Sequence, residues 1–274
     1  MIKKILFPLA CVACLLTSCL EEVGYYGETG EFGCYVTIDT NQESIYDNTQ
    51  SVKLKADFMR DFTDLTNLKN PEQLADFGLE NAKRAFVIIR YSGSITSPWV
   101  FTLLKKSSDI PPMLTHPIPT LPINKKEVTG NQQHIEGLQS YYGNYIWVAD
   151  GYLNIIPTIR SGEPGNYYLT PDTVKGDTLF FNLDAVYNKG NKPYYDELQC
   201  FDLRTIADSL DADENIRHKM NDAYRAIKDL DSVRIAITAS YATKSDVTRN
   251  DTIVRKTLPH TTNYFKDYFL EDEL

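Results

Sequence analysis

Histidine is scarce in this 274-residue chain. The four present, His116, His134, His218 and His260, are far apart and none has a partner at metal-ligand spacing, so no metal site is expected. The G-x-S-x-G elbow, the P-loop and the H-E-x-x-H pair are all missing. Without them the sequence offers no nucleophile elbow, no phosphate cradle and no zinc helix; the expectation is a non-enzyme with no cofactor. Positive charge is also short. Twenty-eight Lys and Arg face 37 Asp and Glu, a net charge of −9. Such a chain repels phosphate backbones, which are bound by basic patches, so nucleic acid is not an expected partner. Neither an internal repeat nor a low-complexity tract is visible.

The N-terminus has a distinct character. Lys3 and Lys4 precede an apolar run, Ile5 to Leu16, broken only by Pro8. A run of about a dozen residues is too short to span a bilayer, which takes roughly 20. A basic start, a short apolar core and small residues before the cut describe a secretory signal peptide over residues 1–18. Leu16-Thr17-Ser18-Cys19 fits the lipobox of bacterial lipoproteins, which makes Cys19 the candidate lipidation site and first mature residue. Two or three acyl chains (palmitate among them) at roughly 0.8 kcal/mol per buried methylene would hold it to a membrane permanently. Leu20, Glu21 and Glu22 resemble the surface-export signal of some Gram-negative lipoproteins. They imply an outward-facing protein on the outer membrane; the alternative is an acidic tether on the periplasmic face. The 28 basic residues less Lys3 and Lys4 leave 26 against 37 acidic ones in the mature chain.

Removal of the leader takes Cys11 and Cys14, and acylation takes Cys19. Cys34 and Cys200 remain in a compartment that permits disulfides. They are a candidate disulfide, or two small buried apolar side chains.

The chain then divides by pattern. Residues 19–33 hold four glycines without periodicity and are expected to be a flexible tether. Strand signals follow at Cys34–Ile38, at Val52, Leu54, Ala56 and Phe58 with period two, at Ala85–Tyr91 and at Trp99–Leu104, with a short helix from Pro71 to Phe77. Residues 34–112 are expected to form one β domain. Pro111, Pro112, Pro117, Pro119 and Pro122 crowd the next stretch, and proline resists helix and central strand alike. A Pro-rich linker is therefore expected over 113–140. Residues 141–274 read as a second β domain, with a hairpin turning at Asp150-Gly151, strands at Thr178–Val186 and Leu198–Leu203, and a last hairpin from Val233–Tyr241 and Thr252–Leu258. One helix is predicted near 213–230, because Ile216, Met220, Ala223, Ile227 and Leu230 recur at three- and four-residue steps.

Arg84-Ala85-Phe86-Val87 before Tyr91, Ile146-Trp147-Val148 before Gly151-Tyr152-Leu153-Asn154-Ile155, and Phe201-Asp202-Leu203 form a combination. With the lipobox, it resembles the NigD-like lipoproteins over most of the mature chain. The resemblance implies a mostly β protein: an N-terminal OB-like β-barrel followed by a C-terminal β-sandwich, here with a helical insertion over Arg204–Leu230. It carries over no site residues.

Three surface features bear on function. Tyr141, Tyr142, Tyr145 and Trp147 form one aromatic cluster, Tyr167 and Tyr168 a second, Tyr194 and Tyr195 a third. Such rings stack on sugars or build protein interfaces, and they also fill strands in any β-protein. Asp followed by Ser or Thr and an aliphatic residue is the O-glycosylation pattern of the lineage in which such lipoproteins occur. It marks Thr173, Thr178, Ser209, Ser232 and Thr252 as candidate sites. Asp211, Asp213, Asn215 and Asp222 partly follow a calcium loop, but Ile216 replaces the required glycine, so the acids are read as capping the helix start. The expected function is a non-enzymatic binding or interaction module at the cell envelope, with a glycan or protein ligand and the membrane as partners. The alternatives are an envelope hydrolase acting on glycans or peptides through paired carboxylates, and a structural envelope component.

Overall fold

A computed structural model describes residues 29–43, 50–58, 71–94, 97–129, 132–133, 135–159, 165–187, 198–242 and 253–265. The protein is mostly β, an OB-like unit followed by a β-sandwich with one helix late in the chain. It divides into two compact units, residues 1–117 and 118–274.

The first unit is a curled half-barrel. Its strands β1 (Gly30–Glu43), β2 (Gln50–Ala56), β3 (Arg84–Ser94) and β4 (Ser97–Leu104) lie in the order β2-β1-β3-β4, and β5 (His116–Ile118) also pairs with β3. Period-two alternation places Cys34, Val36 and Ile38 of β1, Val52, Leu54 and Ala56 of β2, and Ala85, Val87 and Ile89 of β3 on one buried face. Leu74, from the short helix expected at Pro71–Phe77, which is of the 3-10 type, packs into the same core with Leu79. On the opposite face Phe86 lies across Gly33, where any Cβ would come within 2.4 Å of the ring. Thus β1 begins at Gly30, inside the stretch expected to be tether.

The second unit is a sandwich of two sheets. One holds β6 (Thr120–Pro122), β13 (Gln199–Asp202), β10 (Tyr152–Ile159) and β8 (Ile135–Gln139), in that order, with β9 (Ile146–Ala149) also on β10. The other runs β11 (Gly165–Lys175), β12 (Thr178–Tyr187), β14 (Ser232–Ala242), β15 (Ile253–Phe265), with β7 (Gln132–Gln133) on β12. Leu153, Ile155 and Phe201 from the first sheet and Leu179, Phe181, Leu183, Ile235 and Ile237 from the second share one apolar core.

The expected linker over 113–140 is corrected. That stretch carries β5, β6, β7 and β8, and the boundary between the units falls inside β5, after Pro117. Proline is tolerated here because β6 lies at the edge of its sheet, where a missing N–H breaks no ladder. Strand β11 carries no alternating sequence signal. Pro171 and the bulge at Asp172 interrupt its alternation, and β11 too is an edge strand.

The helix α1 (Glu214–Asp229) lies where its periodicity puts it, with Ile216, Met220, Ala223, Ala226 and Ile227 buried. Leu230 is its extended C-cap and stays partly exposed. Asp213 is the N-cap residue, yet its carboxylate makes no capping bond. Oδ2 instead accepts from the Glu127 amide at 3.1 Å, while the Asp213 amide donates to the Lys125 carbonyl at 3.0 Å. The acid ties the helix start to the loop that follows β6 rather than closing its first turn.

Candidate functional site

The first aromatic cluster is assembled by two tight turns at the two ends of β9. At the far end, Asp150 and Gly151 take φ values of 44° and 76°, and Ala149 pairs with Tyr152. At the near end, Tyr142 and Gly143 take 48° and 76°, and Tyr141 bridges Asn144. Positive φ at both central residues is the signature of the type I′ hairpin turn. Aspartate and glycine suit it; tyrosine does not, since Cβ crowds the following carbonyl at a cost of about 1–2 kcal/mol.

The turn is braced. The Tyr141 and Asn144 amides exchange hydrogen bonds with each other's carbonyls at 2.8 and 3.0 Å, and the Asn144 side chain donates to the Tyr142 carbonyl at 3.1 Å. Tyr141 stacks on the buried Trp147, ring centroids 5.5 Å apart, and meets Tyr142 edge-on at 4.6 Å. Tyr142 itself is 61% exposed. The result is an exposed ring on a short rigid stalk, rooted in the sandwich by an indole.

The far turn is fastened in another way. Arg204 lies across the Tyr152 ring at 4.5 Å and packs on Gly151. It forks onto Asp202 through Nε at 2.7 Å and Nη2 at 3.0 Å. The Leu203 amide donates to the Gly151 carbonyl at 3.0 Å, and Asp202 Oδ1 accepts from the Arg204 amide, starting the 3-10 turn Leu203–Ile206. Burial pushes the Tyr152 hydroxyl above its ordinary range. Burial also pulls on the Arg204 guanidinium, but the Asp202 carboxylate outweighs it and holds the charge on. This group locks β13 to the β9–β10 hairpin.

The other sequence candidates are scattered. Cys19 and Thr252 lie outside the described residues, as do Tyr194 and Tyr195. Cys34 and Cys200 form no disulfide. Each thiol is buried in the core of its own unit, and burial pushes Cys34 up to about 12. The structure therefore corrects the candidate bridge to two buried apolar cysteines. Thr173 follows the β11 bulge and borders a groove of about 360 Å³ between α1 and β11, with Asp222, Arg225 and Asp229 opposite. Thr178 opens β12 and bonds to Asp177 at 3.0 Å, Ser209 is half-buried, and Ser232 is exposed at the start of β14. His116 contacts Phe86, and His218 is exposed on α1. Among the described residues no three His, Cys, Asp or Glu side chains converge as metal ligands, Asp211, Asp213 and Asp222 included.

No family model matches the chain, and no curated protein matches it. It is similar to an uncharacterized protein from Parabacteroides merdae ATCC 43184, known from a crystal structure at 1.50 Å resolution. The two share 12% sequence identity and a TM-score of 0.43, over 86% of this chain and 99% of the other.

Proposed function

We propose that this protein is a non-enzymatic binding module of the cell envelope, held to the outer membrane through an acylated Cys19 and akin to the NigD-like lipoproteins. It offers the Tyr141–Asn144 turn of its sandwich to a ligand. One observation carries the reading: Tyr142 is 61% exposed in a backbone conformation that tyrosine adopts only at a cost. Glycine would form this turn more easily, so the side chain is there for something other than the turn. Strain of this kind gathers at ligand-contacting positions. An exposed ring flanked by the Asn144 amide matches the stacking-plus-hydrogen-bond chemistry that receives a sugar face.

The test is a glycan array probed with the mature chain and with its Tyr142→Gly variant. Enrichment of defined glycans by the first and about tenfold weaker binding by the second supports the reading. Equal binding by both proteins removes Tyr142 from the site, and binding to no glycan removes this ligand class. No helix among the described residues is long and apolar enough to cross a membrane. The anchor is tested by mass spectrometry of the native N-terminus.

A further inference from the structure

The crossing between β4 and β5 forms a finger. Its tip is Ile110-Pro111-Pro112-Met113-Leu114, five consecutive apolar residues, all exposed. Ile110 is 97% exposed, Leu114 55% and Met113 40%. An apolar tip of this kind marks a contact surface when it is contiguous rather than scattered.

The finger is held in shape from its base. The Ser107 amide donates to the Met113 carbonyl and the Thr115 amide to the Lys105 carbonyl, both at 2.9 Å. The Met113 amide donates to Ser107 Oγ at 2.9 Å, and the Ile88 amide of β3 to Thr115 Oγ1 at 3.0 Å. Glu31, the second residue of β1, accepts from the Ser108 amide at 2.7 Å and from Ser108 Oγ at 3.1 Å, and its other oxygen pairs with Arg90. Such a framework keeps the apolar residues outward instead of letting them fold back onto the unit.

We propose that this finger inserts its tip into the surface of the bilayer that carries the anchor, with Lys105 and Lys106 against anionic headgroups. The inference rests on the acylated Cys19 proposed above. Two observations and one general argument choose a lipid surface over a protein groove. Cys19 stands twelve residues before Glu31, so an extended chain allows at most about 40 Å between the anchor and the residue that braces the finger. Two adjacent exposed lysines flank the apolar tip in a chain of net charge −9, while Glu31 is engaged by Arg90, which leaves Asp109 as the loop's own carboxylate. Basic residues beside an apolar tip are the pattern that binds an anionic interface. Finally, a tethered finger needs little affinity of its own, because the anchor makes its encounter with the membrane intramolecular.

The experiment uses the native protein with its own N-terminus, floated with vesicles of phosphatidylethanolamine and phosphatidylglycerol. Nitroxides are placed at Ile110→Cys and, as a water-exposed reference, at Glu80→Cys. Buried Cys34 and Cys200 do not compete for the label. The expected result is about tenfold less collision of the Ile110→Cys nitroxide with a water-soluble nickel complex than at Glu80→Cys, with raised oxygen collision. Lys105→Glu with Lys106→Glu should return the label toward water. A floating protein whose Ile110→Cys label is as wet as the reference overturns the finger and leaves the anchor standing. Full insertion of the double glutamate variant overturns the headgroup contact. A protein that does not float has lost the anchor, and the inference falls with it.

Discussion

Arg84 grips Asp57 through two parallel hydrogen bonds of 2.6 Å, with the two side chains only 0% and 1% exposed. Thr37 takes a third bond from the same guanidinium at 2.8 Å. The pair joins the end of β2 to the first residue of β3, opposite Thr37 of β1. Buried pairs of this kind add little over an apolar substitute but are costly to break from one side. Arg84→Met should therefore destabilise the first unit by about 3–5 kcal/mol in urea unfolding. Arg84→Met with Asp57→Leu should recover most of that loss. A single variant as stable as the parent would show that the pair bears no structural load.

The Tyr142 turn allows binding and stability to be separated. Tyr142→Gly relieves about 1–2 kcal/mol of backbone crowding and adds back roughly 0.5–1 kcal/mol of unfolded-chain entropy. Its melting temperature should stay level or rise slightly. Gly143→Val asks a branched side chain to adopt φ near 76° and should lower the melting temperature by several degrees. If Tyr142→Gly unfolds the sandwich, the ring is a packing element instead of a contact.

Met220 points from α1 into a pocket with Ala212 and Ile216 and is fully buried. Met220→Ala should cost about 2–5 kcal/mol, whereas His218→Ala on the exposed face should change stability by under about 0.5 kcal/mol. Calorimetry of the two variants side by side checks the helix orientation.

The finger should loosen in acid. Hydrogen bonding from Arg90 first, then from the Ser108 amide, holds the Glu31 carboxyl below its usual range. A depressed carboxylate contributes its full stabilisation above the unfolded-state value, about 4.3, and loses it as pH falls through the lower folded value. The Ser108 amide resonance should report a midpoint below that of an ordinary glutamate, and Arg90→Gln should move it up. A midpoint at or above about 4.3 in the parent would contradict the bracing.

Thiol chemistry gives the last check. With Cys34 pushed up to about 12 and both cysteines buried, the folded units should resist iodoacetamide at pH 8. In denaturant without reductant, Cys34 and Cys200 should both become alkylated. Their failure to react there would restore the bridge.

Where one face of an element is buried, the sequence carries its own description. Alternation at Val52–Phe58, the apolar and β-branched run Ala85–Tyr91 and the three-to-four spacing along α1 predict β2, β3 and α1 to within a few residues, and Cys34–Ile38 marks the middle of the longer β1. Asp150-Gly151 announces its turn because both residues favour positive φ. The signal fails where tertiary position overrides local habit. Pro117, Pro122 and Pro171 all lie in strands, since edges and bulges need no amide there. The Tyr142 turn is illegible for the opposite reason: nothing in a Tyr-Gly dipeptide advertises a left-handed tyrosine. The aromatic cluster itself was visible, but which ring faces water depends on Trp147 being the one that the sandwich swallows. Residues 113–140 read as a spacer because proline content reports only that a segment avoids regular structure, not that edge strands hold it.

The parallel pairing of β12 with β14 also has a meaning in time. Leu179, Phe181 and Leu183 gain their second neighbour only when Ile235 and Ile237 arrive, after β13 and α1 have passed between. A chain released from its N-terminal end can thus complete the half-barrel within its first 117 residues. The sandwich must wait for β14, so a chain cut short before Ser232 would leave Leu179, Phe181 and Leu183 facing water on one side.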